Sequence, residues 1–507
     1  MPSKTKRLVK NTLFLYVRMF LLMFVGLYSS RVLLATLGVE DLGIFNVVAS
    51  VVLMLEFVSS SLTNSSQRYL SIGLGKNDLK LTNNYFAQSV GIHFLFSICI
   101  VIIMETAGLW LLNEKLNIPA DRQIAASWLY QFSVLAAFIK INQVCFQSVI
   151  IARENMSIYA YLSIFEATAK LAILYLIASN THFDKLIFYG ALLLVIQFTV
   201  LLVHIIYCYT VYPESRYKLY WDNTLFKEMF SFVSVNIFGS ISWSLGVQGI
   251  SILLNIFFGP VINTARGLAT TAGRFINQFV NNIYLAIKPQ LIKSYAKGEI
   301  EEMLVMAEKS TVYIFYMVLV VTLPLLLETN YILRLWLNTV PEFTTMYTKL
   351  VIIQSYFWML PIPYSQIATA TGKIKNIQLY GRIFTLMSLP ISYGVLLLVE
   401  NPYYPIIVVI TMDSLYWLYT IQEINKQLST SFKRYLSNVV KPIAFVSMAV
   451  FSTVFTFSYY LEGSDIFKLI IGGLFSTLSA SAFIYLFGIE KTDLQVLKTF
   501  IIRKLKK

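Results

Sequence analysis

Charge, cysteine and histidine are all scarce in this sequence. Only 13% of its 507 residues are charged while 57% are hydrophobic. That balance excludes a disordered chain, which lacks apolar surface to bury, and an ordinary soluble enzyme, in which about a quarter of the residues are charged. The three cysteines (Cys99, Cys145, Cys208) and three histidines (His93, His182, His204) stand singly, with no CxxC or HExxH spacing. A disulfide framework and a metal site are therefore not expected, and neither is a cofactor. The net charge of +14 does not point to nucleic acid, because most basic residues lie in short connections between apolar segments, where they set membrane topology.

What the chain has in abundance is apolar runs of the length a bilayer demands, about 20 residues per helix. They place fourteen helices at 13–37, 43–67, 84–112, 122–148, 155–179, 184–211, 228–258, 261–287, 310–333, 343–370, 375–399, 402–422, 438–460 and 466–488. The basic start (Lys4, Lys6, Arg7, Lys10) leads into an apolar stretch too long for a signal-peptide core, so it is read as a retained first span. With the N-terminus inside, 27 of the 40 Lys and Arg fall in inside segments, 6 in outside loops and 7 within spans. This asymmetry predicts a multi-pass protein of the cytoplasmic membrane with both termini cytoplasmic.

An internal repeat runs at a nearly constant offset. Leu33-Leu34, Gly38 and Gly75-Lys76-Asn77-Asp78 align with Leu253-Leu254, Gly259 and Ala296-Lys297-Gly298-Glu299 near an offset of 221. Gln147, Tyr161 and Ile164-Phe165 align with Gln366, Tyr380 and Ile383-Phe384 at 219. The fold expected is an all-α integral membrane protein of two six-helix lobes, 1–212 and 213–428, in parallel repeat, with 429–507 adding two helices and a basic tail.

Two helices are too polar for lipid. The eighth carries Asn263, Arg266, Thr270, Arg274, Asn277 and Asn281 at steps of 3 and 4, one stripe at helical period. The second, its counterpart, carries Asn46, Ser50, Glu56, Ser59, Ser60, Ser61, Thr63, Asn64 and Gln67. Small polar residues also glue helices together, so the serines and threonines fit either reading. The cations argue harder for a wet face, because a charge at the bilayer centre costs roughly 2.5–3.5 kcal/mol on insertion scales.

The seven cations within spans are Arg18, Arg31, Lys140, Lys170, Arg266, Arg274 and Arg382, against four acids, Glu56, Glu105, Glu166 and Asp413. Arg274, near mid-membrane, is the best single anion ligand. Arg18 and Arg31, toward the inner and outer ends of the first helix, either bind or snorkel to the interface. Lys140 and Arg382 lie in inner thirds and snorkel equally well, and Glu166 with Lys170 reads as an i,i+4 ion pair. Glu56 and Asp413 fit either a proton or Na+ site or counter-ions for the arginines. The interior is basic on balance, and its natural guest is an anion. Pro324, Pro361, Pro363 and Pro390, with Gly239, Gly246 and Gly249, mark helices expected to bend.

The segment Asn255–Ala269, continuing through Asn277–Asn281 to Lys288–Glu299, resembles the corresponding region of bacterial polysaccharide flippases of the multidrug/oligosaccharidyl-lipid/polysaccharide exporter superfamily. Ser30–Asn46 and Arg68–Ser71 are similar to the same family's first two helices. The resemblance implies two lobes around a central cavity and export of isoprenoid-diphosphate-linked oligosaccharide units for a surface polysaccharide such as O-antigen or capsule. It maps a cavity cation onto Arg266 by motif. Arg18, Arg31 and Arg274 join by their placement, with Asn263, Asn277 and Asn281 as substrate-binding neighbours. A polysaccharide polymerase or glycosyltransferases are the candidate protein partners of a monomeric transporter working among membrane lipid. The alternatives are a lipid II flippase and a cation-coupled multidrug exporter; the first helix lacks the acid that drug extruders often carry there. No helix end gathers a constellation suited to glycosyl transfer, so an enzyme is not expected.

Overall fold

The structure, a computed structural model, describes residues 4–179, 183–216, 220–490, 493 and 495. Within these, the side chains of 4–17, 56–57, 235–236, 238–240, 243, 285–286 and 289 are not described. Every apolar run folds as helix, and no strand forms among the described residues.

The order begins with α1 (Lys4–Leu53), α2 (Glu56–Gly75) and α3 (Leu79–Ile103), which passes through a π turn at Met104–Gly108 into α4 (Leu109–Glu114). Then come α5 (Gln123–Ala152), α6 (Met156–Ser179), α7 (Lys185–Val211), α8 (Asn223–Phe258), α9 (Pro260–Ala296) and α10 (Ile300–Leu327). After these follow α11 (Thr329–Leu337), α12 (Thr344–Met359), α13 (Ile362–Thr371), α14 (Lys375–Leu398) and α15 (Tyr404–Leu428). Last are α16 (Phe432–Tyr435), which joins α17 (Lys441–Tyr460) by a π turn, and α18 (Asp465–Phe483).

Among the described residues, ten helical stretches are long and apolar enough to cross a membrane, which makes the chain a multi-pass membrane protein. The polar α2 and α9 fall outside that set, and α8 enters only as the shorter apolar stretch Ser244–Phe258. Large apolar side chains such as Phe24, Phe198 and Leu398 stand exposed, as contact with lipid requires.

The repeat is visible in the backbone. Gly38 sits at φ 80, ψ 179 and divides α1 into two helices, and Gly259 sits at φ 75, ψ −169 between α8 and α9. Both are conformations that glycine adopts without steric penalty. The turn after α2 has Asn77 at φ 53 and the turn after α9 has Gly298 at φ 79. Their hydrogen bonds match one for one: Lys76 N to Ile72 O, Asn77 N to Leu74 O and Asp78 N to Gly73 O in the first, and Lys297 N to Lys293 O, Gly298 N to Tyr295 O and Glu299 N to Ser294 O in the second.

The second expected helix, 43–67, is not continuous. It breaks at Met54–Leu55, where the Ser244 hydroxyl of α8 donates to the freed carbonyls of Met54 (2.8 Å) and Leu53 (3.3 Å). Satisfying those carbonyls is what allows a break at bilayer depth. The expected helix 343–370 likewise divides, at Leu360–Pro361, because proline brings no N–H to the ladder. The π turn at Met104 is held by the buried Tyr130 hydroxyl, which donates to Met104 O at 2.7 Å.

The chain forms two compact units, Met1–Leu268 with Leu389–Pro405, and Ala269–Ser388 with Ile406–Lys507. The first is cored by residues such as Ile44, Val47, Leu62, Leu129, Tyr130 and Ile177, the second by Met303, Ala307, Ile367, Ile421 and Val446. Helices in lipid associate through close packing rather than through hydrophobic expulsion of water, so small residues sit at contacts. In the first unit Gly43 lies so near Pro260 that a Cβ would come within 1.9 Å of the proline carbonyl oxygen.

Candidate functional site: a cationic cavity in the first unit

A cavity of about 660 Å³ lies wholly within the first unit. Five helices line it, two of them, α5 and α6, with polar residues at helical spacing. From α6 come Tyr159, Ser163, Glu166 and Lys170, at steps of 4, 3 and 4, and from α5 come Lys140, Gln143 and Gln147, at steps of 3 and 4. Ser59, Ser60 and Thr63 of α2, Arg18 and Leu22 of α1 and His204 of α7 join them, with Val144, Leu162 and Ala167 as apolar wall. The periodicity of α6 thus turns both members of the expected ion pair, together with an aromatic ring, toward one space.

The charges are engaged unequally. The Arg18 guanidinium stacks 4.5 Å over the Tyr159 ring and donates through Nη2 to its hydroxyl at 3.4 Å, while its buried Nε has no acceptor. Lys170 Nζ lies 2.5 Å from Glu166 Oε1. Lys140 makes no ion pair or hydrogen bond among the described residues. Gln143 accepts from Gln197 Nε2 at 2.6 Å, a bond that fixes its amide from behind. His204 is buried; its Nδ1 donates to the Val200 carbonyl at 2.8 Å, which leaves Nε2 as the acceptor nitrogen. Three cations against one carboxylate give the described lining two net positive charges. A guanidinium fork and ammonium groups are the donor types that suit phosphate-like oxyanions.

The internal repeat shows that the fold does not require this charge. At the offset of 219, Lys140, Glu166 and Lys170 correspond to Met359, Thr385 and Leu389. The second copy carries one cation at an equivalent position, Arg382 opposite Ser163. Helices thus form at the equivalent positions without the charged set, although the counterpart of α5 is broken after Met359.

Of the residues singled out from the sequence, the cavity takes Arg18. Arg31 is half-buried farther along α1. Arg266 and Asn263 lie in the first unit and bind α8: Arg266 donates to Ser251 Oγ and, at 2.9 Å, to Val247 O, and Asn263 Nδ2 donates to Ser251 O at 2.8 Å. Asn46 of α1 in turn donates to Asn263 O at 3.3 Å. The stripe of α9 then passes into the second unit, where Arg274 and Asn281 are exposed and Asn277 keeps a buried Oδ1 without a partner. Asp413 accepts from Gln354 Nε2 at 3.2 Å in that unit. Glu56 opens α2, and its side chain lies outside the described residues. Among the described residues no group of three or more His, Cys, Asp or Glu is placed to hold a metal.

Sequence reasoning took Lys140 as a snorkelling residue and Glu166–Lys170 as a structural pair, and so missed that they share a cavity with Arg18. The signal that finds them is the matched stripes on α5 and α6, read together rather than charge by charge.

No protein-family model and no curated protein matches the chain. Among solved structures it is similar to the lipid II flippase MurJ in an inward closed conformation, with a TM-score of 0.67 at 12% identity over 94% of this chain and 98% of that one. It is similar also to an inward-facing multidrug resistance MATE family transporter of the MOP superfamily, at 0.64 and 15% identity over 82% of this chain and 99% of that one. A MOP superfamily transporter from Pyrococcus furiosus, described by the reverse polarity of its binding pocket, matches at 0.56 and 11% over 83% and 96%. The fold of this chain is therefore the one shared by MurJ and the MATE transporters.

Proposed function

We propose that the chain is a transporter of this fold, a flippase that carries isoprenoid-diphosphate-linked oligosaccharide units from the inner to the outer leaflet of the cytoplasmic membrane. The observation that carries the reading is the cavity in which Arg18, Lys140 and Lys170 face a single carboxylate. The sequence resemblance to polysaccharide flippases supports the same guest. In this reading the diphosphate head binds the cations, the sugars meet the serine, threonine and glutamine side chains, and the lipid tail stays in the bilayer. Two helical halves, 1–212 and 213–428, alternate access between leaflets, with both termini cytoplasmic and 429–507 as an addition to the pair. Arg31, Arg266, Arg274, Asn277 and Asn281 are further contacts along the guest's route, and Glu56 and Asp413 serve as ion sites or counter-ions. Outward movement of two negative charges is favoured by an inside-negative potential, at roughly 2.3 kcal/mol per charge per 100 mV.

A second reading, lipid II as the guest, is favoured by one observation: MurJ matches 94% of the chain, against 82% for the MATE transporter, so its likeness extends over more of the sequence.

The test is reconstitution of the full chain in vesicles with fluorescent lipid-linked guests, scored by accessibility to a membrane-impermeant quencher. Movement of an isoprenoid-diphosphate oligosaccharide, reduced by Arg18→Gln and Lys140→Gln, supports the proposal. Faster movement of lipid II selects the second reading, and movement of cationic drugs alone overturns both.

A further inference from the structure

The lone acid of the cavity has no task in the reading above, and its position gives it one. Glu166 lies one turn N-terminal to Lys170 on the face of α6 that lines the cavity, and its carboxylate holds the Lys170 ammonium at 2.5 Å. The two other cations are not so held. Arg18 spends one nitrogen on a neutral hydroxyl and keeps a buried Nε without an acceptor, and Lys140 meets the Glu166 charge only through space, with no hydrogen bond or close ion pair among the described residues. We infer that Glu166 is a built-in counter-ion of this cavity, which occupies Lys170 while the site is empty and gives it up to the entering anion, so that this carboxylate sets how tightly the site holds phosphate.

The inference rests on the anion-transport reading. A diphosphate bridging Arg18 and Lys140 needs the third cation for its remaining oxygens, and Glu166 competes for that cation while repelling the guest. Such competition suits a carrier, which must bind strongly enough to load and weakly enough to unload. A purely structural pair is a poorer account. The two side chains keep 21% and 41% of their surface exposed, and Thr385 and Leu389 occupy the equivalent positions of the second repeat with no charge at all.

The experiment is titration calorimetry of the full chain in nanodiscs with inorganic diphosphate as the probe. Glu166→Gln is expected to tighten binding about tenfold, in line with removal of one charge-assisted competitor. The gain should vanish in Glu166→Gln/Lys170→Gln, which lacks both the competitor and the cation it occupies and should bind no more tightly than the wild type, though more tightly than Lys170→Gln, in which the acid is left to repel the probe. Unchanged or weaker binding by Glu166→Gln, with Arg18→Gln and Lys140→Gln still weakening it, overturns the counter-ion and leaves the anion reading standing. Indifference of diphosphate binding to Arg18→Gln and Lys140→Gln overturns that reading itself, and the counter-ion with it. If Glu166→Gln does not fold, Lys170→Gln decides: left facing an unpaired Glu166, the probe should lose more affinity than in Lys140→Gln, and equal losses overturn the inference.

Discussion

Gly38 and Gly259 hold the same backbone conformation, φ 80, ψ 179 and φ 75, ψ −169, at equivalent points of the two repeats. Each lets one helix stop and the next begin at once, without a loop. No atom lies within 4 Å of where a Gly38 Cβ would stand, and the nearest to Gly259 is Asn117 Nδ2 at 3.6 Å, so alanine would be opposed by the backbone alone. Gly38→Ala and Gly259→Ala should each cost about 1–3 kcal/mol of stability. Gly43→Ala, whose Cβ would meet the Pro260 carbonyl, should cost more than either. Thermal unfolding in a single detergent gives the order.

A second prediction concerns acid. The Arg122 guanidinium joins Asp41, through Nε at 2.7 Å and Nη2 at 2.6 Å, to Asp184, through Nη1 at 2.6 Å, and so ties the second half of α1 to the starts of α5 and α7. Burial pushes the Asp184 pKa up, but the Arg122 bond and the amides of Leu186 and Ile187 outweigh it and hold the carboxyl below its ordinary value of 3.8. A depressed carboxylate pKa means stability that is complete above the ordinary value and lost as pH falls through the folded one. Between about pH 5 and about pH 3, the Tm of the wild type should therefore fall more steeply than that of Asp184→Asn. Parallel curves would assign the acid sensitivity elsewhere.

The α9 arginines should separate by the kind of loss they cause. Arg266 is anchored on α8 by Ser251 and Val247, whereas Arg274 is exposed and makes no hydrogen bond or ion pair among the described residues. Arg266→Gln leaves partners unpaired, so it should lower Tm as well as transport, by about 1–3 kcal/mol of stability. Arg274→Gln should leave Tm unchanged and lower transport alone. A Tm loss for Arg274→Gln of the same size would contradict the distinction.

Much of this was legible in the chain. Hydropathy marked the ten apolar helical stretches, because lipid tolerates little else, while α2 and α9 show in the sequence by their polar stripes; the glycine and turn residues carried the repeat because few residues adopt positive φ. The break at Met54–Leu55 was not legible: its residues are good helix formers, and what permits it is the hydroxyl of Ser244, 190 residues away along the chain. The cavity was half legible. Lys140 and the Glu166–Lys170 pair were each noticed, but only the packing of α1, α2, α5, α6 and α7 brings them round one space with Arg18. Arg266 illustrates the reverse case, since a polar stripe shows where cations lie on a helix and not which of them a neighbouring helix binds.

The repeat supplies its own control for the site. Met359, Thr385 and Leu389 stand in the second copy where Lys140, Glu166 and Lys170 stand in the first, in helices of the same order. The variant Lys140→Met/Glu166→Thr/Lys170→Leu therefore gives the first copy the uncharged residues of the second, placed in an α5 that is continuous where its counterpart is broken. It removes two cations and one acid together, so no unpaired charge is left behind to destabilise the interior. Tm should stay at or above that of the wild type, because uncharged side chains at bilayer depth cost less than charged ones. Diphosphate binding and guest movement should both fall by more than tenfold, since Arg18 alone remains to hold the anion. A variant that folds and still transports at the wild-type rate would remove the cavity from the mechanism. One that no longer folds would mean that these charges are needed by the first copy after all, and that the two repeats are packed on different terms.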